Sequence, residues 1–130
     1  MLRTHLYGER NIFVVAESIR AQADAPTDIL GFAIAHVVGD EAEVLDIAVM
    51  PSQRGLGIGA ALLDTLMGRC EAGGAETIFL EVRESNAPAR ALYASRHFAL
   101  AGRRKRYYQL PTEDGLILRA DLPVSTGNPA

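Results

Sequence analysis

The sequence predicts a single domain of the α/β (α+β) class, a mixed and mostly antiparallel sheet with two main helices. Two observations carry this reading. Runs rich in β-branched and aromatic residues alternate with turn residues between positions 11 and 49, as antiparallel hairpins do. Beyond them, a segment with apolar residues at helical spacing and a second, capped helical segment are each followed by a further short apolar run. The expected order is β-β-β-α-β-α-β-β, and no internal repeat or low-complexity block interrupts it.

The elements follow in turn. Residues 11–18, Asn-Ile-Phe-Val-Val-Ala-Glu-Ser, suit a strand. Asp24, Pro26 and Asp28 mark residues 21–28 as a loop. Leu30 to Val38 reads as a second strand, and Gly39-Asp40 as the hairpin turn into a third, Glu43 to Val49, which Pro51 stops. Ile58, Leu62, Leu66 and Cys70 then recur every four residues, with Ala61, Leu63 and Met67 beside them, and Gly73-Gly74 ends that helix. Thr77 to Val82 is a short apolar strand suited to the centre of the sheet. Ser85 or Asn86 caps a second helix, with Pro88 in its first turn and Ala91, Leu92 and Ser95 continuing it. Phe98 to Leu100, Tyr107 to Leu110 and Leu116 to Asp121 read as closing strands. The domain is expected to span residues 1–122, with 123–130, which hold two prolines and a glycine, as a loose tail.

Size and composition narrow the function. The 130 residues, 48% of them hydrophobic, support one core but not a cofactor domain with a separate substrate domain. A net charge of -3 gives no bulk attraction to nucleic acid or to an anionic membrane. No stretch approaches the roughly 20 apolar residues of a membrane span, and the polar start Met1-Leu2-Arg3-Thr4-His5 is unlike a signal peptide. The single cysteine, Cys70, excludes an internal disulfide and sits on the apolar stripe of the first helix, where packing is its expected role. Histidines 5, 36 and 97 show no metal-ligand spacing, so no metal is expected. The chain reads as cytoplasmic.

Arg54-Gly55-Leu56-Gly57-Ile58-Gly59 is the strongest local signal. Glycine in a helix costs about 1 kcal/mol relative to alanine, so three around one helix start need a reason. A tight turn with close helix–sheet packing is one. The other is that bare backbone N–H groups at a helix N-terminus cradle a phosphate. No Gly-Lys-Ser/Thr follows, which excludes a nucleotide P-loop. Gly55-x-Gly57-x-x-Ala60 does satisfy a dinucleotide fingerprint, with Glu81 about 20 residues on. Against it stand the four residues, Pro51 to Arg54, between strand and glycine, the antiparallel hairpins upstream, and the lack of length for a second nucleotide half.

Taken together, these motifs resemble the GCN5-related N-acetyltransferase (GNAT) family, and within it the ribosomal-protein-alanine acetyltransferase branch. Arg54-x-x-Gly57-x-Gly59 matches the pyrophosphate loop, and Leu80-Glu81-Val82-Arg83-x-Ser85-Asn86-Ala87-x-Ala89-x-x-Leu92-Tyr93 the branch's second signature. Arg103 to Tyr108 followed by Glu113-Asp114 is similar to its closing hairpin. Each short motif alone is weak; together, in order and correctly separated, they are specific from about Gly31 to Leu122.

The resemblance implies an acetyl-CoA-dependent N-acetyltransferase with no metal. It implies that a splayed strand at residues 46–50 pairs its backbone, at Ile47, Ala48 and Val49, with the pantetheine arm and polarises the thioester carbonyl. Arg54, Gly55, Leu56, Gly57, Ile58, Gly59 and Ala60 take the pyrophosphate, and Asn86 contacts the arm from the other side. Glu81 is implied as general base, against the alternative of a strand-end carboxylate paired with Arg83 or a neighbour. Tyr93 is implied as the acid that protonates the thiolate, against that of a core tyrosine with its hydroxyl tied off. The basic run Arg103-Arg104-Lys105-Arg106 reads as a solvated hairpin in an acidic chain, with an acidic substrate or the coenzyme's 3′-phosphate as further readings.

The implied acceptor is a protein N-terminal α-amine or a small amine. An α-amine, of pKa about 7.7–8.0, is neutral in roughly a tenth of molecules at pH 7, a lysine in under about a thousandth; this favours the α-amine for a single carboxylate base. An acyl-CoA-binding module without catalysis is the alternative of another class. Two departures stand out. Relatives carry a strand and two helices before the strand at 11–18, where this chain has ten residues. Since those helices form one wall of the acceptor groove, a second subunit, as in a homodimer, or the substrate protein is expected to cover it. Arg96-His97-Phe98 places histidine where relatives have glycine, a site expected to need positive φ.

Overall fold

The computed structural model describes residues 2–7, 10–18 and 27–123; residues 21–26 of the expected loop and 124–130 of the expected tail lie outside them. The described strands are β1 (Leu2–Tyr7), β2 (Asn11–Glu17), β3 (Ile29–Val38), β4 (Glu41–Val49), β5 (Thr77–Arg83), β6 (Ala99–Tyr108) and β7 (Glu113–Asp121). They form one sheet in the order β1-β2-β3-β4-β5-β7-β6, antiparallel throughout except at β4–β5. Helix α1 (Ile58–Ala72) connects β4 to β5, and α2 (Ala87–Ser95) connects β5 to β6. This is the mixed, mostly antiparallel sheet with two helices that the sequence predicts.

Two details correct the expectation. The ten residues before β2 hold a strand, β1, paired along β2 from Leu2↔Ala16 to Tyr7↔Asn11. The segments Phe98–Leu100 and Tyr107–Leu110 are not two strands: one strand, β6, runs through the basic residues between them, while Phe98 precedes it. An edge strand exposed along its length needs no apolar alternation, so the charges do not end it.

Alternation in the inner strands aims one set of side chains at α1. Ile12 and Val14 on β2, Ala33, Ala35 and Val37 on β3, and Ala42 and Val44 on β4 are buried with Leu62, Leu63, Leu66, Met67 and Cys70 of α1. Ala61, expected beside that stripe, faces solvent. Burial pushes the Cys70 thiol up to about 12, which makes it a packing group and not a nucleophile. The C-terminus of α1 closes with paired backbone bonds, Gly74 N–H to Glu71 O and Ala75 N–H to Cys70 O, with Gly74 at φ 101°.

Helix α2 lies on the same face of the sheet. Asn86 caps it through a bond from Ala89 N–H, and Arg96 at its end grips both carboxylate oxygens of Asp64 on α1 at 2.9 Å. His97 takes φ 66°, the positive value expected, and so turns Phe98 back against the Tyr93 ring. Among the described residues no helix covers the opposite face of the sheet.

Candidate active site

Strands β4 and β5 run parallel but pair only at Glu41–Glu43 with Thr77–Phe79. Beyond that they part, and the cause is local. Ala35 pairs with Val44 while Ile34 pairs with Asp46, so Leu45 is an extra residue on β4. Such a bulge bends its strand and increases its twist. After it, Met50 N–H bonds Leu30 O on β3 at 2.8 Å. Because amides alternate along a strand, those of Ile47 and Val49 face the other way, into the space that β5 has left.

That space forms a groove in two connected parts. A cavity of about 410 Å³ runs from Arg54, Gly55, Gly57, Ile58 and Gly59 to Asn86 and Tyr93. A second, of about 270 Å³, continues between Asp46, Glu81 and Tyr93 to Tyr108. Ile47, Asn86, Ala89 and Tyr93 border both.

At the first end, a 3₁₀ turn (Pro51–Gln53) leads into the glycine loop. Gly55 and Gly57 adopt φ 80° and 83°, a left-handed backbone that strains any side chain, although a Cβ at either would meet nothing within 4 Å. Gly57 is the N-cap of α1 and has no side chain to satisfy the first turn; the first helical bond is Ala61 N–H to Gly57 O at 3.1 Å. The N–H groups of Ile58, Gly59 and Ala60 therefore lack helical acceptors, at the positive end of the helix dipole. At Gly59 a Cβ would meet Leu92 and Val49 only at ordinary contact distance, so packing does not by itself demand glycine there. Arg54 bonds Val49 O through Nε at 3.4 Å, and Leu56 is exposed.

At the other end, Glu81 and Tyr93 border the same cavity from different elements. Leu80 and Val82 point into the core, so Glu81 between them projects to the opposite face of β5. Tyr93 comes from α2, half-buried, its ring edge-on to Phe98 at 5.7 Å. Burial raises its pKa above the ordinary tyrosine value, and Asp46 and Tyr108 raise it further. Among the described residues its hydroxyl takes no hydrogen bond, unlike a tyrosine tied off in a core. Asn86 spends its side-chain oxygen on the α2 cap and leaves its amide nitrogen for the groove.

The chain matches the acetyltransferase (GNAT) family over residues 4–98. It belongs to that family. It is 50% identical over 97 residues to the [ribosomal protein bS18]-alanine N-acetyltransferase of Escherichia coli, an alignment that covers 72% of this chain. The chain spans 64% of the length of that relative. Among solved structures, the ribosomal-protein-S18-alanine N-acetyltransferase from Escherichia coli superposes with a TM-score of 0.74 at 37% identity, over 95% of this chain and 77% of that one. The fold is shared with Arabidopsis thaliana NAA60, solved in complex with acetyl-CoA (TM-score 0.77, 20% identity, covering 88% of this chain and 78% of that one).

In this GNAT domain the Glu81 end of the groove is held by ions that the motifs do not mark. Arg83 does not pair with Glu81; it bonds Glu113 at 3.0 Å and lies over the Tyr108 ring at 4.3 Å. Glu113 also accepts from Ser85 N–H and Oγ, and these bonds, with Arg83 first, hold its carboxyl below the usual range. Arg103 bridges Glu84 and Asp114. Glu81 is taken instead by Arg104, Nε to Oε1, at 2.9 Å. Arg103 and Arg104 of the basic run are thus paired, all four of its residues remain exposed as expected of a solvated hairpin, and none lines the cavity beside the glycine loop. No signal in the sequence marks the Arg104–Glu81 pair, because it depends on the β6–β7 register.

No described helix is long and apolar enough to cross a membrane.

Proposed function

We propose that this protein is an N-acetyltransferase that transfers the acetyl group of acetyl-CoA to a protein N-terminal α-amine. The observation that carries the proposal is the groove at the parting of β4 and β5. It has free amides along one edge, an uncapped helix N-terminus at one end, and Glu81 with Tyr93 at the other. The relative named as acting on a ribosomal-protein alanine supports the choice of amine and a cytoplasmic site of action.

The residues present fit the coenzyme. The N–H groups of Gly55 to Ala60 and the Arg54 side chain take the pyrophosphate, in a cradle with no Cβ at Gly55 or Gly57. The backbone of Ile47, Ala48 and Val49 pairs with the pantetheine arm, and Asn86 contacts it from across the groove. When bound, acetyl-CoA supplies the thioester whose C–S bond breaks as the C–N bond to the amine forms. A β4 amide facing the gap polarises the carbonyl oxygen. Glu81 accepts the proton released by the amine, directly or through one water, and Tyr93 donates its hydroxyl proton to the departing sulfur. The raised pKa of Tyr93 keeps that proton in place at neutral pH.

The helix-free face beside Glu81 is where the acceptor protein or a second copy of this chain would complete the acceptor wall. The test is calorimetric titration with acetyl-CoA, then free-thiol release against alanine-initiated peptides and small amines. Saturable binding and release with the peptides is expected. No binding would overturn the proposal, and binding without release on any acceptor would reduce the protein to an acyl-CoA-binding module.

A further inference from the structure

Glu81, read above as the base, is not free in this structure, and what holds it has no part in that mechanism. Arg104 Nε lies 2.9 Å from Glu81 Oε1, and its guanidinium sits 5.2 Å from the centre of the Tyr107 ring. The placement is built in. Arg104 pairs with Gly115, but the next pair is Tyr108 with Glu113, so residues 105–107 of β6 oppose a single residue of β7. This bulge folds both tyrosines across Gly115, where a Cβ would lie 3.3 Å from their ring atoms. Tyr107 thereby brings its ring beside the guanidinium.

The pair borders a groove of about 340 Å³ on the helix-free face, and Glu81 belongs both to it and to the cavity that reaches Tyr93. The titratable groups sharing these spaces with Glu81 are Glu41, Glu43 and Asp46 on β4, His36 on β3, Tyr93 on α2 and Tyr108 on β6. Two cations are present. Arg83 is committed to Glu113. Arg104 is the one that holds Glu81.

We propose that Arg104 is a positioning residue for the acceptor: it aims the Glu81 carboxylate toward the groove and yields it to the incoming α-amine. The inference rests on the reading of Glu81 as base. The α-amine, a cation in most molecules at neutral pH, takes the place of the guanidinium beside the carboxylate and then gives up its proton to it. With Arg104 about half exposed, the contact is weak enough to be displaced and still strong enough to orient the carboxylate. The arginine that positions the base therefore also competes with the substrate for it.

The test uses the whole chain with acetyl-CoA and an alanine-initiated peptide, comparing wild type, Arg104→Gln and Arg104→Lys. In Arg104→Gln the peptide KM should fall about two- to fivefold, the size of a half-exposed ion pair. At saturating peptide kcat should fall about two- to fivefold as well, because the carboxylate loses the contact that aims it. Arg104→Lys should remain near wild type in both. Unchanged KM and kcat in a folded Arg104→Gln would overturn the proposal, as would a lysine variant that changes as far as glutamine, which would make the role one of packing on Tyr107. A second readout needs no variant and no turnover: saturating peptide should shift the Arg104 Nε–Hε signal in an NMR spectrum of the wild type, and an unmoved signal overturns the proposal. A wild type that binds acetyl-CoA but acetylates no amine would remove the reading of function beneath it, a failure distinct from these.

Discussion

The two walls of the groove are built by opposite means. The wall proposed for the donor, from the end of β4 through the glycine loop into α1, is an extension of the core: Leu62, Leu63, Leu66 and Cys70 are fully buried against β2, β3 and β4. The wall proposed for the acceptor is the β6–β7 hairpin where it meets the end of β5: β7 sends Leu116, Leu118 and Ala120 into the core, but the outer side is tied by ions, with Arg83 on Glu113, Arg103 on Glu84 and Asp114, and Arg104 on Glu81. No residue of β6 is buried. Close-packed apolar groups have one good arrangement, whereas exposed ion pairs exchange partners at small cost. Under the proposed function, a ligand that is the same in every turnover suits the first wall, and an acceptor that must enter and leave as part of a larger chain suits the second.

The largest expected effect tests the donor wall. Leu62→Ala should destabilise the fold by about 2–5 kcal/mol through lost burial and a residual cavity. Arg103→Ala, on the acceptor wall, should cost under about 1 kcal/mol. Urea unfolding of the two variants measures the ratio, and equal losses would break the contrast between the walls.

Next comes the junction. Tyr93→Phe keeps the ring against Phe98 and removes only the hydroxyl, so turnover should fall about a hundredfold or more, with acetyl-CoA affinity little changed. Burial, Asp46 and Tyr108 all raise the Tyr93 pKa, so loss of activity through its ionisation belongs above the ordinary tyrosine range and not near neutrality. A rate within threefold of wild type in stopped thiol-release assays would return Tyr93 to the packing role that its contact with Phe98 alone suggests.

A smaller effect separates binding from chemistry. Gly57→Ala forces a side chain into φ 83°, at a cost of about 1–2 kcal/mol, at the cap of the helix that offers free amides. Acetyl-CoA affinity should weaken about tenfold while kcat at saturation holds, since the acceptor wall is untouched. Calorimetry and saturation kinetics read the two quantities separately. A fall in kcat with unchanged affinity would detach the glycine loop from coenzyme binding.

How much of this was legible beforehand follows the same division. The donor wall was legible because its signals are local: a four-residue apolar period for α1, two glycines for its stop, and three at its start, of which Gly55 and Gly57 take left-handed backbone. His97 at positive φ was also legible, from a substitution in a pattern. The acceptor wall was not, because its contacts join residues far apart in the chain through a register that the sequence does not display. The partner of Glu81 sits next to a bulge on β6, and that of Arg83 is Glu113, thirty residues on. The strand β1 is hidden for a related reason: Leu2 to Tyr7 mixes charge with apolar residues, which an edge strand tolerates without losing its ladder.

The smallest predicted effect concerns acid, where the walls should part company. Arg83 and Ser85 hold the Glu113 carboxyl below its ordinary pKa, so the folded state binds that proton less readily than the unfolded chain. The stabilisation is therefore complete above the ordinary carboxylate range near about 4, and is lost as pH falls through the lower folded value. Asp114, lowered by Arg103, has the same sign. Both carboxylates dock the hairpin, while the core side of α1 rests on none. Amide hydrogen exchange should thus show β6–β7 losing protection in acid before α1 does, and high salt at neutral pH should weaken the hairpin in the same sense by screening exposed pairs. Simultaneous loss across both walls would mean that the hairpin's ions contribute nothing of their own, and that the donor core alone holds the acceptor side in place.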